Sequence, residues 1–521
     1  MPNRDSSSLR GVRWGFWLIV LAAGLLPLGT TTAARGQALT GEPLGPMPDS
    51  AHLVMSVVSG DCRNVSMIVN DSPGKSTLLL NGKGVASGLD IPVAAISPDG
   101  KRLAYVVNEG GGRWHVVIDG VASETYDARL DQMGPAMLGF SPDGKHFAYV
   151  GKKGGNIFPR PATLKEELDA GLHPTGKEFV VMDGVAGSVY PNIEGLKGEA
   201  RGPYVLLSEQ GGHYAYVGDN GDGWDLVCDG KVVGATEPEC GFCFSKDGRR
   251  FAAVLGDSLA ESAVLLDGQK LGHYDVIDDL AFSDDGKHFA YAIVTLGNPG
   301  FGNGTTSLVV DGVQGPPIVE HDSHNEESTI SQLTFSPDGK RMAFDQKSNT
   351  FGNGRSSWSH HVSLDGVEGH GYGTVDHLTF SPDGTRLAYV AIKRWQANEP
   401  ADNCTIVVNG AEGRGYTDIR APVFSPDGRH LAYAAKDGDT WYMMLDGRAL
   451  PMVYDLVLSS AVYVPAPLER QANAPRYAYS GKFATPYRFD TNGQLIYLAV
   501  RDGQICRVTC KPDVAAAAAT P

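Results

Sequence analysis

The residues of this chain whose types can do chemistry are seven cysteines, a group of late histidines and a few glycine-rich turns. Cys240-Gly-Phe-Cys243 has the spacing of a redox pair. It leads straight into Ser245 as a strand, and on an extended strand residues i and i+3 stand about 10 Å apart, beyond the roughly 7 Å a disulfide spans. Redox pairs sit at helix starts, so this one reads as structural. The bridge expected instead joins Cys62 to Cys506 or Cys510, which would tie the two ends of the fold together. His321, His324, His360, His361, His370 and His377 fall on separate loops with no helix to set their spacing, so no metal site is expected of them. Asp219-Asn-Gly-Asp-Gly-Trp-Asp225 lacks the alternating ligands and terminal Glu of a calcium loop and reads as a turn. Gly74-Lys-Ser-Thr77 lacks the glycine that a phosphate loop needs five residues earlier, where Val69 stands. With no nucleophile elbow, zinc-helix motif or dinucleotide fingerprint, no catalytic residue, metal or cofactor is assigned.

The elements that must position these residues come from a repeat. Ser-Pro-Asp-Gly begins at Ser97, Ser141, Ser336, Ser381 and Ser425, with variants at Ser245 and Ser283 and a disguised copy at Ser208. Asp-Gly or Asn-Gly closes an apolar run in step with it, at Asn81, Asp119, Asp183, Asp229, Asp267, Asp311, Asp365, Asn409 and Asp446. The first mark suits a type I turn and the second a type I′ hairpin, so each unit of roughly 40 to 45 residues is a four-stranded antiparallel meander. Leu103-Ala-Tyr-Val-Val107 and Leu387-Ala-Tyr-Val-Ala-Ile392 are apolar throughout, so both sheet faces are covered. Blades packed around an axis satisfy that, and a β-sandwich with polar outer faces does not. The fold expected is an all-β propeller of eight full repeats plus a degenerate closing blade, eight or nine blades in all, spanning 51–510. Its closing blade is expected from 51–90 and 477–508, and 511–521 reads as a disordered tail.

Arg4, Arg10 and Arg13 precede an apolar stretch from Trp14 to Leu28, and Gly36-Gln37-Ala38 offers small residues to a signal peptidase. Residues 1–38 are therefore expected to be a signal peptide, with 39–50 a linker and no membrane span left after cleavage. The formal net charge is −16 and no Lys/Arg stripe is present, which argues against nucleic acid and for a soluble monomer. Glycine is abundant, at 66 residues without a collagen period, as a turn-rich β protein requires.

Phe335-Ser-Pro-Asp-Gly-Lys-Arg-Met-Ala-Phe344, with similar copies from Phe140, Phe380 and Phe424, resembles the TolB-type, WD40-like propeller repeat of bacterial envelope proteins. The resemblance runs from about Ala51 to Val508 and implies a fold, together with a periplasmic or extracellular location, far more than a task. The chain departs from TolB itself in having more repeats and no segment like its separate N-terminal domain.

Asn156 to Lys177 interrupts the pattern with a helix-start signal at Thr163, and Phe-Gly-Asn-Gly recurs at Phe301 and Phe351 in two further long hairpins. A binding surface is expected on such loops, drawing on Phe158, Phe301, Phe351, Trp358, His360 and His361. The function these features suit is a non-catalytic exported scaffold that binds a protein or glycan. The alternative is an enzyme of lyase or glycoside hydrolase type with its site in the axial channel.

Overall fold

The computed structural model describes residues 39–48, 53–72, 74–111, 113–126, 138–154, 177–194, 205–210, 212–237, 240–256, 262–295, 304–321, 329–352, 355–393, 404–438, 440–450, 456–457, 487–501 and 503–512. Their strands form ten antiparallel sheets, one per blade. In chain order nine blades span 53–88, 94–122, 138–190, 192–236, 242–274, 276–321, 329–372, 374–416 and 418–449, and the tenth joins 456–457 and 487–510 to 39–46. The propeller is as expected, but the count is ten rather than eight or nine.

Both turn marks do what their chemistry dictates. In seven of the turns the buried serine Oγ donates to Oδ1 of the aspartate two residues on, at 2.5–2.7 Å, as in Ser97 to Asp99 and Ser425 to Asp427. The same Oγ accepts the backbone N–H five residues on, for example from Arg102 at 3.0 Å. All nine Asp or Asn residues of the second mark have φ between 49° and 53°, the left-handed conformation a type I′ turn requires.

In six blades the residue five places after the serine, Arg102, His213, Arg250, His288, Arg341 or Arg386, then reaches the next blade. Arg250 Nε donates to Asp267 of its own blade at 2.9 Å, and its Nη1 donates to the Gly286 carbonyl of the following blade at 2.9 Å. Its guanidinium lies 5.0 Å above the Phe282 ring of that blade. Arg102 over Phe140 and Arg386 over Phe424 repeat the stacking at 5.0 Å. Where histidine replaces arginine, as at His288, Nδ1 meets Asp311 at 2.7 Å and the ring faces Phe335 of the next blade. The Ala-Tyr of the motif makes a second tie: Tyr149 and Tyr291 each share a hydroxyl contact of 2.8 Å with a tyrosine ending the preceding blade, Tyr126 and Tyr274. The repeat is thus largely a code for its seams.

Three expectations are corrected at the closure. Residues 53–88 make a complete blade, because Ser59-Gly-Asp-Cys-Arg-Asn64 keeps the turn's hydrogen bonds without its proline and with Cys62 at φ 55° in the glycine place. Residues 39–50 are not simply a linker: Leu39–Pro46 is the outer strand of the tenth blade, running antiparallel to Gln504–Cys510 with a bulge between Pro43 and Gly45. Its seat is specific, since a Cβ on Gly45 would overlap the Asn81 carbonyl. The third correction is the disulfide. Along Gln504–Cys510 side chains alternate, so Cys506, Val508 and Cys510 face the ninth blade while Ile505 packs with Cys62 of the first. The closing sheet stands between Cys62 and both proposed partners. The same packing closes the ring, with Val58 and Met67 of the first blade against Ile496 and Leu498 of the tenth.

Candidate functional site

Consecutive first strands touch across the seams, while fourth strands such as Val185–Tyr190, Val367–Tyr372 and Ala411–Tyr416 are largely exposed. The first strand of each blade therefore lines the axis. Both turn marks lie on one face of the ring, and the connections from second to third strand lie on the other, the hairpin face. The three expected insertions all fall in second-to-third connections, of the third, sixth and seventh blades.

The axial strands are not alike. In the second, third and fifth blades they have three residues, Ala94–Ile96, Leu138–Phe140 and Phe242–Phe244. In the sixth, seventh and eighth they have seven, Val276–Phe282, Thr329–Phe335 and Thr374–Phe380, so they run further toward the hairpin face. Each extension is bulged and carries, at the same offset from its turn, a polar pair at or beside the bulge: Asp278-Asp279, Ser331-Gln332 and Asp376-His377. At the equivalent places the second and fifth blades have Pro92-Val93 and Cys240-Gly241. Gln332 at φ 55° and His377 at φ 59° hold a strained conformation outside the repeat's own turns, which is characteristic of functional sites.

These side chains partly serve the ring. Asp279 Oδ2 accepts the Leu333 N–H of the next blade at 2.8 Å, and Gln332 Nε2 donates to the Val375 carbonyl at 2.9 Å. Burial pushes the Asp279 carboxyl up to about 7, against the pull of its backbone hydrogen bonds. Asp376 and His377 stay open to solvent, with side chains 58% and 44% exposed and 3.6 Å between Oδ2 and Nε2. Behind Ser331 lies a buried group, Asp345, whose Oδ2 accepts from His360 Nδ1 at 2.7 Å and from Ser331 Oγ at 3.3 Å. In the ninth blade Arg420 continues the arc, 3.6 Å from Asp418 and 5.1 Å over the Trp441 ring.

Of the residues expected to bind, Phe158 and Phe301 lie outside the described residues. Phe351 and Trp358 stand opposite Ser356 and Asn349 in a ten-pair hairpin of Met342–Gly352 with Arg355–Leu364. Of the late histidines expected on loops, His321, His370 and His377 lie in strands, His324 lies outside the described residues, and His360 and His361 are neighbours in that second strand, so they point to opposite faces. His361 meets Glu368 at 3.1 Å and His360 meets Asp345. Burial pushes the Cys240 thiol up to about 12 and raises that of Cys243 as well, the reverse of a redox pair's thiolate. Gly74 and Gly221 sit in tight hairpins. Among the described residues no group of three or more His, Cys, Asp or Glu is arranged to hold a metal. The axial pairs escaped the sequence reading, although a signal existed: each stands four and five residues before the turn serine.

No family model matches the chain, and no curated protein matches it. Among solved structures it is similar to a eukaryotic initiation factor, at 10% identity over 88% of this chain and 93% of that one, with a TM-score of 0.38. It is also similar to the tricorn protease, at 14% identity over 77% and 43% with a TM-score of 0.30. TolB from Acinetobacter baumannii is a third, at 16% identity over 46% and 59% with a TM-score of 0.22. Likenesses this distant say nothing of a task; what this chain's own ten sheets establish is an all-β propeller of four-stranded antiparallel blades.

Proposed function

We propose that this protein is a non-catalytic binding propeller, exported to the bacterial envelope, which engages a protein or glycan through the hairpin face of its sixth to ninth blades. One observation carries the reading: the sixth and seventh blades have both lengthened hairpins and long, bulged, polar axial strands, and the two features open on one face. Export is supported by the leader-like composition of residues 1–38. The test is capture from envelope extract by the chain and by a variant with Phe351 to Trp358 replaced by a two-residue turn. A species bound by the first and lost by the second supports the proposal, and identical capture by both refutes it.

The channel-enzyme reading has one observation behind it, the buried Asp345 holding His360 as a carboxylate holds a general base. It requires turnover of a polysaccharide that ceases in His360→Ala. The binding reading requires association without turnover.

A further inference from the structure

Asp345 stands nine residues after its turn serine, where the other repeats place Val106, Val150, Val217, Val254 and Val390 or an alanine. It is 1% exposed. A carboxylate in that place costs stability unless it is paired or put to use. Its pairing is incomplete. Oδ2 serves His360 and Ser331, whereas Oδ1 is buried with no hydrogen-bond partner. A carboxylate oxygen only accepts, so the contact at Oδ2 places a proton on His360 Nδ1; in the neutral imidazole Nε2 is then the acceptor, on a ring 17% exposed. At the equivalent strand position other blades carry Trp114, Trp224, Trp441, Ser76, Ser262, Thr306, Cys404 or Glu178, and none has a histidine.

Three pairs of surrounding charges are matched, Lys393 with Glu412 at 3.1 Å, His377 with Asp376 and Arg420 with Asp418 at 3.6 Å each, and Lys347, opposite His360 in the hairpin, is engaged as well. Matched pairs leave little net field to draw in an ion. What the seam offers is the partly exposed imidazole of His360, the Gln332 amide bonded to the Val375 carbonyl and the exposed imidazole of His377, polar groups of the kind that meet the hydroxyls of an uncharged ligand.

We propose that the seam between the seventh and eighth blades takes a neutral, polyhydroxylated ligand, a glycan. A ligand hydroxyl donates to His360 Nε2, and Asp345 is the positioning residue that keeps the imidazole proton on Nδ1. This rests on the hairpin face being the binding face, and it chooses between that reading's two classes of partner.

Calorimetric titration of the purified chain tests it, with maltohexaose, cellohexaose, laminarihexaose and chitohexaose as probes and spermidine as a cationic control. At least one neutral probe binds and spermidine does not. Asp345→Val, which restores the repeat's aliphatic residue, melts as cooperatively as the parent and weakens binding about tenfold or more. His360→Phe abolishes binding, and His360→Gln, which keeps an acceptor, retains part of it. Asp345→Asn replaces the valine variant if the latter fails to fold. Failure of every neutral probe to bind at about 10 mM, or equal affinity in Asp345→Val and the parent, overturns the proposal. A protein captured through the hairpin face, insensitive to both substitutions, overturns the glycan assignment and leaves the binding face standing.

Discussion

Removing one rim clamp tests whether the repeat is a code for its seams. Arg250→Ala deletes three contacts at once: the ion pair to Asp267, the bond to the Gly286 carbonyl and the stack on Phe282. Arg250 and Asp267 are 29% and 41% exposed, so solvent screens the ion pair to the lower part of its usual range, about 0.5 kcal/mol. The stack contributes about 0.5–1 kcal/mol and the carbonyl bond about 1 kcal/mol. The expected loss is therefore about 2 kcal/mol, read as the shift of the urea midpoint at unchanged slope. Arg250→Lys keeps the charge but not the planar fork, so it recovers only a minor part. A double-mutant cycle with Phe282→Leu isolates the stack and gives a coupling of about 0.5–1 kcal/mol, while the same cycle with the distant Phe140 gives none. Additivity at Phe282, or a loss below about 0.5 kcal/mol for Arg250→Ala, refutes the seam argument.

Other consequences follow from the same geometry. Tyr274→Phe strands the Tyr291 hydroxyl and costs about 1–2 kcal/mol in thermal denaturation, and adding Tyr291→Phe costs clearly less than a second such loss. Gly45→Ala drives a Cβ into the Asn81 carbonyl, so hydrogen exchange of Gln504–Cys510 accelerates while that of 242–274 does not. The turn aspartates Asp99 and Asp338 are held down to about 2 by their serine and lysine partners, so the stability they confer is full above pH 3.8 and is lost as pH falls through 2. Asp279 has the opposite sign: raised to about 7, its contribution is full below pH 3.8 and is lost as pH rises through 7. The stability difference between Asp279→Asn and the parent should therefore change between pH 4 and 7 and be flat above about 8 in a pH series of melts.

Eight of the ten blades were legible because Ser-Pro-Asp-Gly and Asx-Gly are local signals whose backbone geometry is fixed by their own residues. The other two were not, for physical reasons. Cys62 reaches the left-handed conformation without being glycine, so the first blade's turn does not look like a turn. Leu39–Pro46 has two glycines and two prolines, which read as a linker, and it becomes a strand because Gln504–Cys510 offers it an edge. A long-range pairing of that kind leaves no local trace. The disulfide failed over side-chain direction, which depends on register and not on proximity in the fold. The axial arc was partly visible. Asp345 breaks an aliphatic column of the repeat and the polar pairs recur at fixed offsets, but only the sheet order shows that these columns line a seam and an axis.

Immobilising the chain in two orientations tests whether recognition uses the hairpin face. Biotin is attached through Lys101→Cys, 80% exposed on the turn face, or through Lys393→Cys, 52% exposed at the end of the second strand of the eighth blade on the hairpin face. Both baits are then offered the same envelope extract and the same neutral oligosaccharides. Capture is expected when the turn face is tethered and is lost when the hairpin face is tethered. Equal capture in both orientations, or capture only with the hairpin face tethered, contradicts recognition through that face.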